Sequence, residues 1–127
     1  MSLENLEELA HAENCYIIAE AGLNHNGSID IAKKLIDLAS EAGADAVKFQ
    51  KRTIDKLAVK STLDAQDDRF PEFGSTYREI REFLEFDLVQ YKIIRSYAED
   101  KGLDFICTAF DIEAVDFLEE LGIKIFK

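Results

Sequence analysis

Short apolar runs alternate along the chain with segments in which apolar residues recur every three or four positions. The apolar runs have the length of β-strands and are residues 15–21 (CYIIAEA), 44–50 (ADAVKFQ), 103–109 (LDFICTA) and 123–127 (IKIFK). The segments with helical spacing are residues 28–42, 87–101 and 111–121. A glycine suited to ending a helix follows each of them, at Gly43, Gly102 and Gly122. The pattern predicts the order β-α-β-α-β-α-β.

The strands are apolar almost throughout, which favours parallel strands buried by helices. Such strands form either a sheet covered on both faces or a closed barrel. The chain ends on a strand with no helix after it, as an interrupted β/α series would. A complete (β/α)8 barrel takes about 250 residues, and this chain has 127.

The segment between the second and third predicted strands is less regular. Residues 51–74 show no clear period, and a connection of that length is typical of a functional or mobile loop. Residues 76–86 are predicted to be helical, with Glu79, Glu82 and Glu85 on a solvated face. The next helix begins with Asp87 and Gln90 at the spacing of a capping box.

Composition and charge exclude several classes of protein. Apolar residues make up 47% of the chain and charged residues 32%, which suits a folded globular domain. The net charge of −11 argues against nucleic-acid and anionic-membrane partners. No apolar run approaches about 18 residues, so no membrane span is expected. Cys15 and Cys107 lie far apart without a CxxC motif, which predicts reduced thiols and a cytoplasmic location.

Polar or charged residues stand at the ends of all four predicted strands. They are Glu20, Lys48, Gln50, Thr108 and Lys127. Ligand groups in parallel α/β folds gather at the carboxyl ends of strands, so a polar site is predicted there. In the alternative interpretation these residues only pair with one another, for instance Glu20 with Lys48. The two lysines favour an anionic substrate.

The turn after the first strand reads Asn24-His25-Asn26-Gly27-Ser28. A lone histidine is weak evidence for a metal, and His25 is expected to order the loop or to contact substrate. Backbone N–H groups before a helix can hold a phosphate. Both the G-x-G-x-x-G and the P-loop spacings are absent, however.

The segment YIIAEAGLNHNGSIDIAKKLIDLASEAGADAVKFQ closely resembles the opening of the sialic acid synthase family. The similarity continues through YREIREFLEF, QYKIIRSYAEDKGLDFICTAFD and AVDFLEELGIKIFK. The family has a (β/α)8 barrel followed by an antifreeze-like domain. The resemblance therefore implies an α/β fold in which residues 15–127 form the first half of a TIM barrel, preceded by a polar lead-in at residues 1–14.

The resemblance also implies a reaction. Phosphoenolpyruvate condenses with an N-acylated amino sugar, typically N-acetylmannosamine, with Mn²⁺ or Mg²⁺. The site residues that the resemblance implies all match positions of the family's motifs. Lys48 and Lys127 match lysines that contact phosphoenolpyruvate, and Thr108 matches a threonine beside it. Glu20 matches an acid/base or orienting glutamate, and Gln50 matches a residue near the same site. Asn24 and His25 match residues of the family's signature loop, which here is the turn at residues 24–28. The segment FICTAF lacks the serine before the threonine and the proline after it that many relatives of this family have.

The family's metal-binding histidines, later strands and second domain have no counterpart in this sequence. We therefore expect no metal ligand set within these residues and little turnover by the chain alone. An alternative is a half-barrel module that self-associates through its exposed sheet edges, as a homodimer or other homo-oligomer, without catalysis. Another phosphoenolpyruvate-condensing, aldolase-like barrel and a flavodoxin-like receiver are the remaining alternatives.

Overall fold

The computed structural model describes residues 15–127, and the predicted lead-in at residues 1–14 lies outside them. Its described strands form one parallel sheet in the order β1-β2-β3. The strands are β1 (Ile18–Gly22), β2 (Ala46–Lys51) and β3 (Asp104–Ala109). The structure confirms the α/β class and the parallel arrangement, and the observed architecture is an open three-stranded sheet.

Helices connect these strands and follow the last of them. They are α1 (Ile29–Glu41), α2 (Ile54–Leu57), α3 (Lys60–Leu63), α4 (Tyr77–Leu84), α5 (Leu88–Asp100) and α6 (Ile112–Leu121). The three long predicted helices correspond to α1, α5 and α6. The irregular segment at residues 51–74 contains α2 and α3, each a single turn too short to show a period in the sequence.

Side chains at the helix starts explain why the helices begin where they do. Ser28 accepts a hydrogen bond from the backbone N–H of Ile31, and Asp87 forms the predicted reciprocal capping box with Gln90. Asp111 caps α6 and also accepts a hydrogen bond from the backbone N–H of Thr53, at 2.7 Å. One carboxylate therefore joins the segment after β2 to the start of α6.

The prediction of a fourth strand at residues 123–127 is wrong for the described structure. A single parallel bridge joins Phe126 to Cys107, and no ladder extends from it. The N–H of Ile123 bonds back to the carbonyl of Leu118, because Gly122 ends α6 in the left-handed conformation. The start of this segment is thus still engaged with the helix, and only its last two residues reach β3.

One face of the sheet packs against the helices and forms the hydrophobic core. Alternate strand residues contribute to it, as the two-residue period of a strand requires. The strand members of the core are Ala21, Val47, Phe49, Phe105 and Cys107. They are joined by helix residues, among them Ile36 of α1, Tyr91 and Ile94 of α5, and Leu118 of α6. The opposite face carries Ile18, Ala46 and Ile106 toward the beginning and middle of the strands, and polar side chains toward their carboxyl ends.

The outer edge of β1 has no strand partner among the described residues. Ile17 and Ile18 are exposed beside this edge, and Leu38 of α1 is 61% exposed. Self-association through sheet edges stays a prediction. Within residues 15–127, no helix is both long enough and apolar enough to cross a membrane.

Candidate functional site

The predicted strand residues share the face of the sheet opposite the core. Glu20, Lys48, Gln50 and Thr108 alternate with core residues along their strands. In the register, Glu20 is the partner of Lys48 on β2, and Gln50 is the partner of Thr108 on β3. The structure therefore brings these four predicted residues together at one end of one face.

Glu20 and Lys48 form an ion pair at the centre of this group. Lys48 Nζ lies 2.6 Å from Glu20 Oε2, with the lysine side chain 13% exposed and the glutamate side chain 48% exposed. The register shifts by one residue between Glu20 and Gly22, so Ala21 is a bulge in β1. Bulges redirect neighbouring side chains and often lie beside functional sites. The pairing foreseen in the alternative interpretation is present, and it also places a cation and a carboxylate side by side.

Gln50 lies next to this pair. A β-carbon placed on Gly22 would lie 3.4 Å from both Gln50 Nε2 and Glu20 Oε1, so the two polar groups flank the same glycine. The backbone of Gln50 is fixed from the core side, since the Tyr91 hydroxyl donates to its carbonyl at 2.6 Å. The amide is therefore presented to the polar face from a rigid strand.

Lys127 is exposed. Its backbone N–H donates to the carbonyl of Cys107 in β3 at 3.3 Å, so its backbone lies beside β3, next to the residue that precedes Thr108. Roles for Thr108 and Lys127 in substrate binding stay predictions. Cys107 itself faces the core, and burial raises the pKa of its thiol to about 12, as expected of an unreactive thiol.

The two predicted residues of the signature loop differ in burial. Asn24 is exposed, whereas His25 is 1% exposed and stacks on Phe86 with the ring centroids 4.1 Å apart. His25 Nδ1 accepts a hydrogen bond from the N–H of Gly27 at 3.1 Å. This geometry supports a role for His25 in ordering the loop, and contact of either residue with substrate stays a prediction.

Burial of His25 predicts a loss of stability in acid. Desolvation lowers the pKa of His25 from 6.5 to about 4. At pH values between these two, the unfolded chain binds a proton that the folded chain does not, so stability decreases as the pH decreases. We expect His25 to account for a loss of about 3 kcal/mol between pH 7 and pH 4, measured as the free energy of unfolding in urea.

His25→Gln is the comparison variant for this measurement. Its amide can still accept from Gly27, yet it does not titrate. The difference in unfolding free energy between the wild type and the variant should narrow as the pH decreases from 7 to 4. A difference that stays constant over this range would contradict a depressed pKa at His25.

Two residues at the end of β2 belong to a cluster that the sequence did not reveal. Lys51 Nζ lies 3.1 Å from Glu85 Oε2 and 2.9 Å from the carbonyl of Phe86. Glu85 also accepts from the N–H of Arg52, at 3.3 Å. The expectation that Glu85 is solvated is wrong, because it follows the last residue of α4 and its side chain is only 10% exposed. Burial raises the pKa of Glu85 despite the adjacent cations.

Metal-ligating side chains do not cluster in the described part of the chain. No group of three or more histidine, cysteine, aspartate or glutamate residues lies close enough together to hold an ion there. At the end of the polar face that carries Lys48, Glu20 is paired with that lysine. The residues that the structure describes do not by themselves fit a divalent cation.

Known proteins with similar sequences identify the family. The NeuB family model matches residues 35–127. N-acetylneuraminate-9-phosphate synthase of Mus musculus is 42% identical over 113 residues, which cover 89% of this chain and 32% of the relative. N,N'-diacetyllegionaminic acid synthase of Campylobacter jejuni is 43% identical over 115 residues, covering 87% of this chain and 34% of the relative.

Solved structures with a similar fold include members of the same family. A crystal structure of N-acetylneuraminic acid synthetase from Leptospira borgpetersenii, in complex with citrate, superposes with a TM-score of 0.65 at 29% identity. The superposition covers 87% of this chain and 34% of that one. The chain thus spans about a third of the length of these relatives. The sialic acid synthase resemblance is confirmed: this chain belongs to the NeuB family.

Proposed function

We propose that this chain provides the phosphoenolpyruvate-binding part of a nonulosonic acid synthase. The observation that carries the proposal is the polar cluster of Lys48, Glu20 and Gln50 on the face of the sheet opposite the hydrophobic core. It occurs in a family whose named members include N-acetylneuraminate-9-phosphate and N,N'-diacetyllegionaminic acid synthases. The proposed reaction joins phosphoenolpyruvate to an N-acylated amino sugar of the N-acetylmannosamine type and releases phosphate.

Lys48 is proposed to hold the anionic substrate. Phosphoenolpyruvate carries a carboxylate and a phosphate, and a preplaced ammonium group stabilises such charge in a partly dehydrated site. In the free chain, Lys48 Nζ forms an ion pair with Glu20 Oε2. A substrate carboxylate would compete with Glu20, whose half-exposed side chain has room to rotate away. Lys127 and Thr108 extend the same edge and would add a second cation and a hydroxyl.

Glu20 is proposed to act at the reacting centre. In the condensation, the methylene carbon (C3) of phosphoenolpyruvate attacks the sugar aldehyde carbon, water adds at the neighbouring carbon C2, and C2 then expels phosphate by C–O cleavage. The aldehyde oxygen gains a proton in this sequence and the attacking water loses one. A carboxyl group beside the site can orient the sugar or carry one of these protons. Gln50 would donate from Nε2 to the bound anion.

Titration of the ¹⁵N-labelled chain with phosphoenolpyruvate tests the binding proposal. The largest amide shifts are expected at Glu20, Lys48, Gln50 and Thr108, because all four lie on the polar face. Inorganic phosphate at equal concentration is the control and should shift these signals less, since it lacks the carboxylate. Shifts confined to the helix surface, or none at all, would contradict the proposed site.

A chimera tests whether the segment is competent for catalysis. Residues 15–127 would replace the aligned third of the Campylobacter jejuni synthase, and formation of N,N'-diacetyllegionaminic acid would be measured. We expect the chimera to retain activity, since the aligned segments are 43% identical. The chain alone, incubated with phosphoenolpyruvate, N-acetylmannosamine and Mn²⁺, should release negligible phosphate. An inactive, folded chimera would count against the catalytic proposal.

A further inference from the structure

Arg52 is a buried arginine whose guanidinium donates a hydrogen bond to an uncharged side chain. Its Nη2 donates to Gln50 Oε1 at 2.5 Å, and its guanidinium carbon lies 3.9 Å from the centroid of the Phe110 ring. The residue is 9% exposed, and among the described residues its Nη1 has no hydrogen-bond partner. Burying a charge with incomplete pairing costs free energy, so its presence here calls for an explanation.

The hydrogen bond from Arg52 determines which way the Gln50 amide points. A guanidinium carries donors only, so the Gln50 atom that faces it is the carbonyl oxygen. The NH₂ group of Gln50 must then point away from Arg52. That direction is toward Gly22 and Glu20, where Nε2 and Glu20 Oε1 flank the same glycine.

We propose that Arg52 is a positioning residue that holds the Gln50 amide with Nε2 directed at a bound anion. The ligand part of this inference rests on the proposed function, whereas the orientation of the amide does not. With the backbone carbonyl of Gln50 fixed by Tyr91 and its side-chain carbonyl fixed by Arg52, both ends of the residue are immobilised. Such preorganisation is what makes a single donor effective in a site.

A rival role for Arg52 is direct attraction of the substrate by its charge. The geometry favours positioning of the Gln50 amide, because the guanidinium stacks on Phe110 and its Nη2 donates to Gln50. Lys48, in contrast, lies in contact with Glu20 on the polar face. The two roles predict different behaviour once Gln50 is removed.

Nuclear Overhauser effects in the ligand-free chain test the orientation. The Gln50 side-chain amide protons should show cross-peaks to the Gly22 α-protons in the wild type. Arg52→Met should abolish these cross-peaks while the backbone spectrum stays dispersed, and Arg52→Lys, which keeps a charge and a donor, should retain them at lower intensity. Equal intensities in all three proteins would overturn the proposal, whether or not phosphoenolpyruvate binds.

A double-mutant cycle tests the consequence for binding. Arg52→Met should weaken phosphoenolpyruvate binding about tenfold, the effect of losing one well-placed hydrogen bond to a charged group. In a Gln50→Ala background, Arg52→Met should have no further effect. A further tenfold loss in that background would show that Arg52 acts by its own charge and would overturn the positioning role.

Two controls separate this inference from the proposed function and from misfolding. Lys34→Met removes a cation from the exposed surface of α1 and should leave phosphoenolpyruvate binding unchanged. If no protein in the series binds phosphoenolpyruvate, the proposed function fails, and the cross-peaks alone decide the role of Arg52. Should Arg52→Met perturb the backbone spectrum, the comparison of Arg52→Lys with the wild type takes its place.

Discussion

Replacing Lys48 with methionine should lower the activity of the chimeric synthase by about 100- to 1000-fold. Methionine keeps an unbranched, apolar four-atom side chain but removes the ammonium that contacts Glu20 at 2.6 Å. Without it, Glu20 stands unpaired on the polar face and repels the anionic substrate. In the chain alone, the same change should abolish the amide shifts that phosphoenolpyruvate causes.

The measurement is the initial rate of product formation, together with the dissociation constant for phosphoenolpyruvate. Lys34→Met is the control, because it makes the same change of charge on the exposed side of α1. Its rate should match that of the parent chimera. If Lys48→Met retains more than a tenth of the parental rate, the role assigned to Lys48 is wrong.

Gly27→Ala should lower the free energy of unfolding by about 3 kcal/mol. Gly27 has φ +70°, a conformation that costs an L-residue about 1–2 kcal/mol. A β-carbon there would also lie 2.6 Å from the carbonyl oxygen of Phe83, which is backbone and moves only with α4. The conformational cost and the clash therefore add at this position.

Gly43→Ala isolates the conformational part of this cost. Gly43 has nearly the same φ, +74°, but no atom lies within 4 Å of a β-carbon placed on it. Its substitution should cost about 1 kcal/mol in urea denaturation. If the two variants lose equal stability, the close approach of the signature loop to α4 has no energetic consequence.

The parts of the fold that could be predicted are those set by local patterns. The three long helices, the capping box at Asp87 and the strands β1 to β3 all follow from hydrophobic periodicity and from local capping and turn residues. The strand-end residues of the candidate site could be predicted for the same reason. The carboxyl ends of parallel strands lie at the same edge of the sheet, so the strand-end residues were expected to be neighbours. They are Glu20, Lys48, Gln50 and Thr108.

The parts that could not be predicted depend on contacts between distant segments. A strand at residues 123–127 needs a partner along its whole length, and its start is engaged by the end of α6 instead. Glu85 looks like one more acidic helix residue, but it lies beyond α4 and meets Lys51 in the interior. Nothing in the local sequence distinguishes Arg52 from a solvated arginine, since Phe110 and Gln50 reach it only in the folded chain.

Asp111 has a consequence for redesign of this protein. Its two carboxylate oxygens serve backbone N–H groups from separate segments, Thr53 at 2.7 Å and Ala114 at 2.7 Å. A loop grafted after β2 would keep its geometry only if its first residues still offered an N–H to this carboxylate. An engineer who exchanges that loop must therefore treat Asp111, 58 positions away along the chain, as part of the graft.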